Sequence, residues 1–268
     1  MIKKRVLCCS VVLSVMILSK LYSTPNSTSK KDPIRKTLLE QVVKKKKAIA
    51  LSPEKQKEVY YRSVKFANKR VPLHRPSVER KFERYLTNFS FRKQQTYSLH
   101  KKAEQHLPKI AAILASYGIP EDFKYVPLIE SDMNPQITSH KGAGGYWQFM
   151  PATARLYGLK VNGSVDERKD LIKSTHAAAR YLKSLYKEFG DWTLVAAAYN
   201  VGGGSLKSSI RRQGTNDYYN LRLNNETGTY VYKLVSMKQV IENPHKHGYK
   251  RYAEMADKYQ HINEQNLL

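Results

Sequence analysis

The sequence predicts a mainly α-helical protein. Apolar residues recur at three- and four-residue spacing in several windows, the period of a helix buried on one face. Glycine and proline stand between those windows in the order of helix stop and helix start. Strict apolar–polar alternation is scarce, so few strands are expected.

The chain has 268 residues, 41% of them hydrophobic, enough for one large core or two small ones. It shows no repeat with a period of twenty to fifty residues. Its formal net charge of +25 favours an anionic partner: nucleic acid, an anionic membrane face or an acidic wall polymer. Charge alone does not choose among these, or against a surface of solvated lysines.

Lys3, Lys4 and Arg5 precede an apolar run from Val6 to Leu18. That run is shorter than the roughly 20 residues of an ordinary membrane span. Residues 1–23 therefore read as a secretory signal peptide or an N-terminal anchor, both open because no clean small-x-small site follows Leu18. The only cysteines, Cys8 and Cys9, lie early in the apolar run, and adjacent cysteines bridge only with strain. Residues 24–70 form a basic linker or arm, with Pro25, Pro33 and the run Lys44–Lys47. Leu38, Leu39, Val42 and Val43 are compatible with a short amphipathic helix; a solvated, partly disordered arm is the alternative.

The folded part is expected from residue 71, with a first helix around Ser77–Leu86. Leu99, Ala103, Leu107, Ile110, Leu114 and Tyr117 mark the next, which Gly118 ends before Pro120 opens another. Pro151 starts a short helix that Gly158 closes. From Asp170 to Phe189, Leu171, Ile172, Ala178, Ala179, Leu182, Leu185 and Phe189 fall on one side, and Gly190 closes the helix. Asp191 is placed to cap the alanine-rich segment that follows, and Gly202–Gly204 break it. A last helix is expected over Glu226–Ile241, and residues 245–268 read as a basic polar tail, with His245 and His247 solvated.

One acidic residue stands out. Phe123, Val126, Pro127 and Glu130 share a helical face, with Glu130 near the C-terminal end. Desolvation and the helix terminus both raise the pKa of a carboxyl group there, which suits a general acid. Periodicity alone leaves a glutamate turned to solvent or paired with a lysine as the commoner reading. After Glu130 come Ser139, the turn-forming Gly142, Gly144 and Gly145, and Gln148, whose amide can bond sugar hydroxyls or acetamido groups. Tyr199 and Asn200 end a helix just before three glycines, a position suited to reaching into a cleft. Taken singly, each of these has an ordinary structural reading.

Taken together, IESDMNP, TSHKGAGGYWQFMPATARLYGL, AAAYNVGGG and NETGTYVYKL are specific. The chain resembles the lytic murein transglycosylases of the soluble-lytic-transglycosylase type, most nearly the membrane-bound D-type enzymes. GIPEDFKYVPLIES and, more weakly, RVPLHRPSVERKFERYL extend the resemblance over residues 71–244, with the motif core at 120–242. It implies a lysozyme-like α-helical domain and a catalytic acid/base at Glu130. It also implies substrate-binding roles for Ser139, Gln148, Tyr199 and Asn200, with Tyr199 hydrogen-bonded to the glutamate, and cleft-supporting roles for Glu226 and Tyr230.

Tyr146 stands where the family usually has leucine, and Ile137 where a small residue is common; both are expected to alter packing under the cleft. The LysM repeats of many D-type relatives are absent, which leaves the basic arm as the candidate contact to wall or anionic membrane.

The implied reaction cuts the β-1,4 bond between N-acetylmuramic acid and N-acetylglucosamine in peptidoglycan strands without water, leaving a 1,6-anhydro ring. No second catalytic carboxylate is evident, and Asp132 is given no role. The alternatives are a lysozyme-like hydrolase of the same fold and a non-catalytic peptidoglycan-binding or assembly protein. No cofactor or metal is implied. The export signal and the lack of RRM, KH or zinc-finger patterns speak against nucleic acid and for the periplasm or cell envelope.

Overall fold

The computed structural model describes residues 52–250. The signal or anchor, Cys8 and Cys9, most of the basic arm and the end of the tail lie outside the described residues. Among the described residues the protein is mainly α-helical, as the periodicity predicts. Its helices are α1 (Pro53–Ser63), α2 (Pro76–Phe89), α3 (Phe91–Gln94), α4 (Ser98–Ser116), α5 (Val126–Ser131), α6 (Pro151–Leu156), α7 (Leu171–Phe189), α8 (Trp192–Val201), α9 (Gly203–Gln213) and α10 (Thr227–Glu242). Short 3₁₀ turns at Glu121–Tyr125, Glu167–Lys169 and Pro244–His247 join them. The described strands, β1 (Lys65–Phe66) and β2 (Lys69–Arg70), form one antiparallel hairpin.

α10 is the axis of the core. Tyr230, Val231, Leu234, Val235, Met237 and Val240 are all buried, and it packs against α2, α8 and the 3₁₀ turn before α5. Lys238 of α10 pairs with Asp122 of that turn at 2.7 Å, both largely buried, which ties the two together. α4 buries Leu99, Ala103, Leu107, Ile110 and Leu114 against α7, while Tyr117 is half-buried at its C-cap. Small residues allow close approach of α7 and α8: Ala177, Ala178, Ala179, Ala196, Ala197 and Ala198 have no exposed surface and belong to one core cluster, and the two helices are in contact.

The caps follow the sequence. Asp170 accepts from the Lys173 N–H, Asp191 accepts from Thr193 and Leu194, and Gly190 closes α7 at φ 66°. α9 is absent from the sequence expectation: Gly202, at φ 88°, breaks one helix and directly begins another. Ile172, expected on the core side of α7, is 44% exposed, because it falls one position outside the buried stripe.

Two boundaries differ from expectation. Residues 55–70, expected as the end of a basic arm, carry Val64 and Phe66, both buried in the core. Phe66 packs on Phe123 with ring centroids 5.5 Å apart, and Tyr61 donates to Glu79 of α2. The lysines of this segment stay on its outer face, which is why its composition reads as solvated.

At the other end, His247 and Tyr249 are buried rather than solvated. The Tyr249 hydroxyl donates to the Phe89 carbonyl at 2.6 Å, its ring lies against Phe91 and His100, and burial pushes the His247 imidazole down to about 4.

Candidate active site

The carboxyl group of Glu130 is placed by a short local path. Pro120 opens the 3₁₀ turn, Pro127 sits in the first turn of α5, and Asp132 ends α5 in the left-handed region at φ 50°. Phe123, Val126 and Pro127 face the core as the spacing predicts, so Glu130 emerges half-buried beside an apolar wall. Asp132 points away from it and pairs with Lys102 at the surface.

The site is a cleft of about 640 Å³ lined by Glu130, Ser139, Gln148, Tyr199, Asn200 and Glu226, with Phe149, Met150, Tyr181, His140 and Lys141 also on its walls. Tyr230 lies behind Glu130 and donates its hydroxyl to Glu130 Oε1 at 2.5 Å. Burial pushes the Glu130 carboxyl up to about 7. The Tyr230 hydrogen bond opposes that rise, the neighbouring Glu226 carboxylate adds to it, and Lys233 opposes it. Burial also holds the Tyr230 and Tyr199 phenols far above their ordinary range, so both keep their protons and act as donors.

The tyrosine bonded to the glutamate is therefore Tyr230, not Tyr199. The Tyr199 hydroxyl donates instead to the Trp147 carbonyl at 2.6 Å, fixing α8 to the Gly-rich loop. Its ring contacts Phe149 and Tyr181, which extend the aromatic wall. Asn200 bridges two groups: its Nδ2 donates to Glu226 Oε1 at 3.1 Å, and its Oδ1 accepts from Thr227 Oγ1 at 2.7 Å. Glu226, given only a cleft-supporting role from the sequence, is a second carboxyl group lining the cleft. It lies close to Glu130 only because the start of α10 folds back beside α8.

The Gly-rich loop forms the facing wall. Short β-bridges pair Thr138 with Gly144 and Gly144 with Phe149. Ser139 and Ala143 close the loop's tip: the Ser139 N–H donates to the Ala143 carbonyl at 2.8 Å, and Ser139 Oγ accepts from the Ala143 N–H at 3.0 Å. Gln148 uses its amide nitrogen inside the protein, donating to the carbonyls of Ile137 and Gly145 at 3.0 and 2.9 Å. Only its amide oxygen is left to meet a ligand, as an acceptor. Ile137 is 40% exposed and its carbonyl accepts from Gln148, while the Tyr146 ring packs beside His106 and its carbonyl accepts from Ser131.

Sequence reasoning missed the group that braces this loop. Arg168 is buried, with its guanidinium held by both carboxylate oxygens of Asp166 at 2.7–2.8 Å. Its Nη1 donates to the carbonyls of Gly142 and Phe149 at 2.8 and 2.9 Å. The backbone of Arg168 comes so close to the loop that a Cβ on Gly145 would lie 2.0 Å from the Arg168 carbonyl oxygen. A glycine is required there on steric grounds as well as by its φ of 74°. Among the described residues no cluster of three or more His, Cys, Asp or Glu side chains is arranged to hold a metal ion.

The chain is similar in sequence to known proteins. The family described as Transglycosylase SLT domain matches residues 109–222. Membrane-bound lytic murein transglycosylase D of Escherichia coli (strain K12) is 34% identical over 171 residues, covering 62% of this chain and 37% of that protein. A putative tributyltin chloride resistance protein of Alteromonas sp. (strain M-1) is 32% identical over 155 residues, covering 56% of this chain and 75% of that one. Among solved structures, the 70 kDa soluble lytic transglycosylase SLT70 from Escherichia coli superposes with a TM-score of 0.45 at 20% identity, over 61% of this chain and 29% of that one. The matched part thus spans little more than a third of the length of the transglycosylase D relative, at 37%.

Proposed function

The chain belongs to the SLT-domain family of lytic murein transglycosylases, and on that premise we propose that it cleaves peptidoglycan strands without water, using Glu130 first as acid and then as base. The observation that carries this reading is a single half-buried carboxyl group, held at about 7 and hydrogen-bonded through one oxygen by Tyr230, in an aromatic-walled cleft.

The chemistry follows from that arrangement. Glu130 gives its proton to the oxygen of the β-1,4 bond between N-acetylmuramic acid and N-acetylglucosamine, and the leaving sugar departs with that proton. The substrate's own acetamido group meets the charge that develops at the anomeric carbon. The Glu130 carboxylate then takes the proton of the C6 hydroxyl, whose oxygen closes the 1,6-anhydro ring. A group that must serve both ways works best with a pKa near the working pH. Tyr230, still protonated, stabilises the carboxylate in the interval between the two steps. Ser139, Asn200 and the Gln148 oxygen offer hydrogen bonds to sugar hydroxyls and acetamido groups, and Tyr199 and Tyr181 present ring surface.

Glu226 favours a second reading. Hydrolytic glycosidases use two carboxyl groups, one to protonate and one to activate water or act as nucleophile. Glu226 is the group in this cleft that could take the second role. Its hydrogen bond from Asn200, and the absence from the proposed reaction of any step needing it, place it second.

Mass analysis of released muropeptides in ¹⁸O-water separates the two: anhydro ends without label support ring closure, and labelled reducing ends support hydrolysis. Glu130→Gln is expected to abolish product release while the fold persists; undiminished release by that variant would overturn the assignment. The reading places the enzyme in the cell envelope, reached through the signal or anchor at residues 1–23. The basic arm then serves as the contact to wall or anionic membrane.

A further inference from the structure

The loop facing Glu130 carries a cation that the reaction above does not use. His140 and Lys141 are the two residues between Ser139 and Gly142, at the loop's tip, and both line the cleft. The tip is a closed turn. The Gly142 N–H donates to the Ser139 carbonyl at 2.8 Å, Ser139 Oγ holds the Ala143 N–H, and Arg168 Nη1 holds the Gly142 carbonyl. The backbone of Lys141 is therefore fixed although its side chain is exposed. Among the described residues no hydrogen bond or ion pair engages the Lys141 ammonium; surface lysines such as Lys93, Lys101 and Lys109 are unpaired too, and what sets Lys141 apart is its place on the cleft wall. Glu226, a carboxyl group of the same cleft, accepts at Oε1 from Asn200 and forms no ion pair with Lys141.

An exposed cation at the wall of a cleft is solvated when the cleft is empty and is available to an anionic group of the ligand. Resting on the function proposed above, the ligand is a strand of alternating N-acetylglucosamine and N-acetylmuramic acid. Sugar rings, hydroxyls and acetamido groups are neutral. The anionic groups on such a strand are carboxylates, either on the 3-O-lactyl ether of the muramic residue or on the peptide attached to it. We propose that Lys141 is a specificity-determining residue that binds a muramic-linked carboxylate, so that the cleft prefers acidic strands to neutral β-1,4 glycans. Ser139, Gln148 and Asn200 serve the neutral part of the ligand, and Lys141 reads its charge.

The test uses three preparations of one strand: peptide-bearing, peptide-free with the lactyl carboxylate exposed, and peptide-bearing with every carboxyl group converted to a methyl amide. Binding is measured with Glu130→Gln protein, which removes turnover, carrying Lys141, Lys141→Ala or Lys141→Arg. Lys141→Ala is expected to weaken binding to strands with free carboxylates by roughly threefold to tenfold, the range of a partly exposed charge-assisted contact. Lys141→Arg is expected to keep most of the affinity, and amidated strands are expected to bind all three proteins equally. Raising the salt to about 1 M, where the screening length is about 3 Å, is expected to erase the difference.

A loss confined to peptide-bearing strands assigns the contact to the peptide, and a loss that persists on peptide-free strands assigns it to the lactyl group. Equal binding of all strands by Lys141 and Lys141→Ala proteins, or an equal loss on amidated strands, overturns the proposal. Because binding is read without turnover, this result is independent of whether the wild type releases anhydro products, which tests the proposed function separately.

Discussion

At the scale of single residues, Glu130 and Tyr230 form a pair whose members answer different questions. The carboxyl group titrates near 7 because burial costs the charged form more than the Tyr230 hydroxyl and Lys233 return to it. An acid with a raised pKa is protonated below that value and loses its proton above it, so kcat/KM should fall as pH rises through about 7. The Tyr230 hydrogen bond lowers the Glu130 pKa, so Tyr230→Phe should move that alkaline limb to higher pH, by about half a unit or more. The same variant should lower kcat several-fold, because the carboxylate formed after the first proton transfer loses its donor. A pH–rate profile with an unmoved limb would mean that another group holds Glu130.

The apolar setting of Glu130 was legible in the sequence because Phe123, Val126 and Pro127 are its helical neighbours, but that spacing left a structural glutamate as the commoner reading, and only the motifs taken together singled it out. Tyr230 was named from the resemblance only as a support of the cleft; its bond to Glu130 was not read, since it lies 100 residues away and reaches the glutamate only through the packing of α10. The bond to Tyr199 that the resemblance implied fails for a local reason: that hydroxyl is already committed to the Trp147 carbonyl.

At the scale of elements, the Gly-rich loop shows what pattern reading captures and what it omits. Its glycines announced a turn and a close backbone approach, and Gly145 meets the Arg168 backbone in that way. The brace itself was invisible, because in a chain with a net charge of +25 one more arginine looks like surface. Arg168 departs from that expectation by being buried, with its guanidinium engaged on Asp166 and on two loop carbonyls.

Removing one member of a buried pair leaves the other unpaired, and typically costs about 3–5 kcal/mol. Arg168→Ala should therefore lower the unfolding free energy in a denaturant titration by about that amount, less a discount for the part of Asp166 that water reaches. Arg168→Lys should fall between, because an ammonium cannot hold a carboxylate side-on and two carbonyls at once. At temperatures where Arg168→Lys remains folded, its KM should rise more than its kcat falls, since Ser139, Gln148 and Lys141 ride on the loop that it braces while Glu130 does not.

At the scale of the whole molecule, the long helices α4, α7 and α8 were legible, because each is a periodic segment bounded by glycine, proline or a capping aspartate, while α9 and the exposure of Ile172 were not. Nor were the limits of the folded unit. Composition marks residues 55–70 as a basic arm, yet the hairpin at 65–70 is only a few residues long and most of its side chains face water. The few that do not are large and fully enclosed. Phe66 is 1% exposed and stands against Phe123, whose ring is 5.3 Å from Trp192, so the hairpin completes the wall behind the 3₁₀ turn that leads to Glu130.

If the hairpin were an accessory, Phe66→Ala would change little. If it belongs to the core, deleting a buried phenyl ring should cost about 3–5 kcal/mol, from lost transfer energy and the cavity left behind. Thermal unfolding of Phe66→Ala decides between the two: a melting temperature lowered by several degrees makes residues 64–70 part of the catalytic unit. The same packing requires that a chain cut at Val71, which lacks Val64 and Phe66 together, be less stable than Phe66→Ala. A melt of the cut chain matching that of the intact protein would instead put the boundary back where composition placed it.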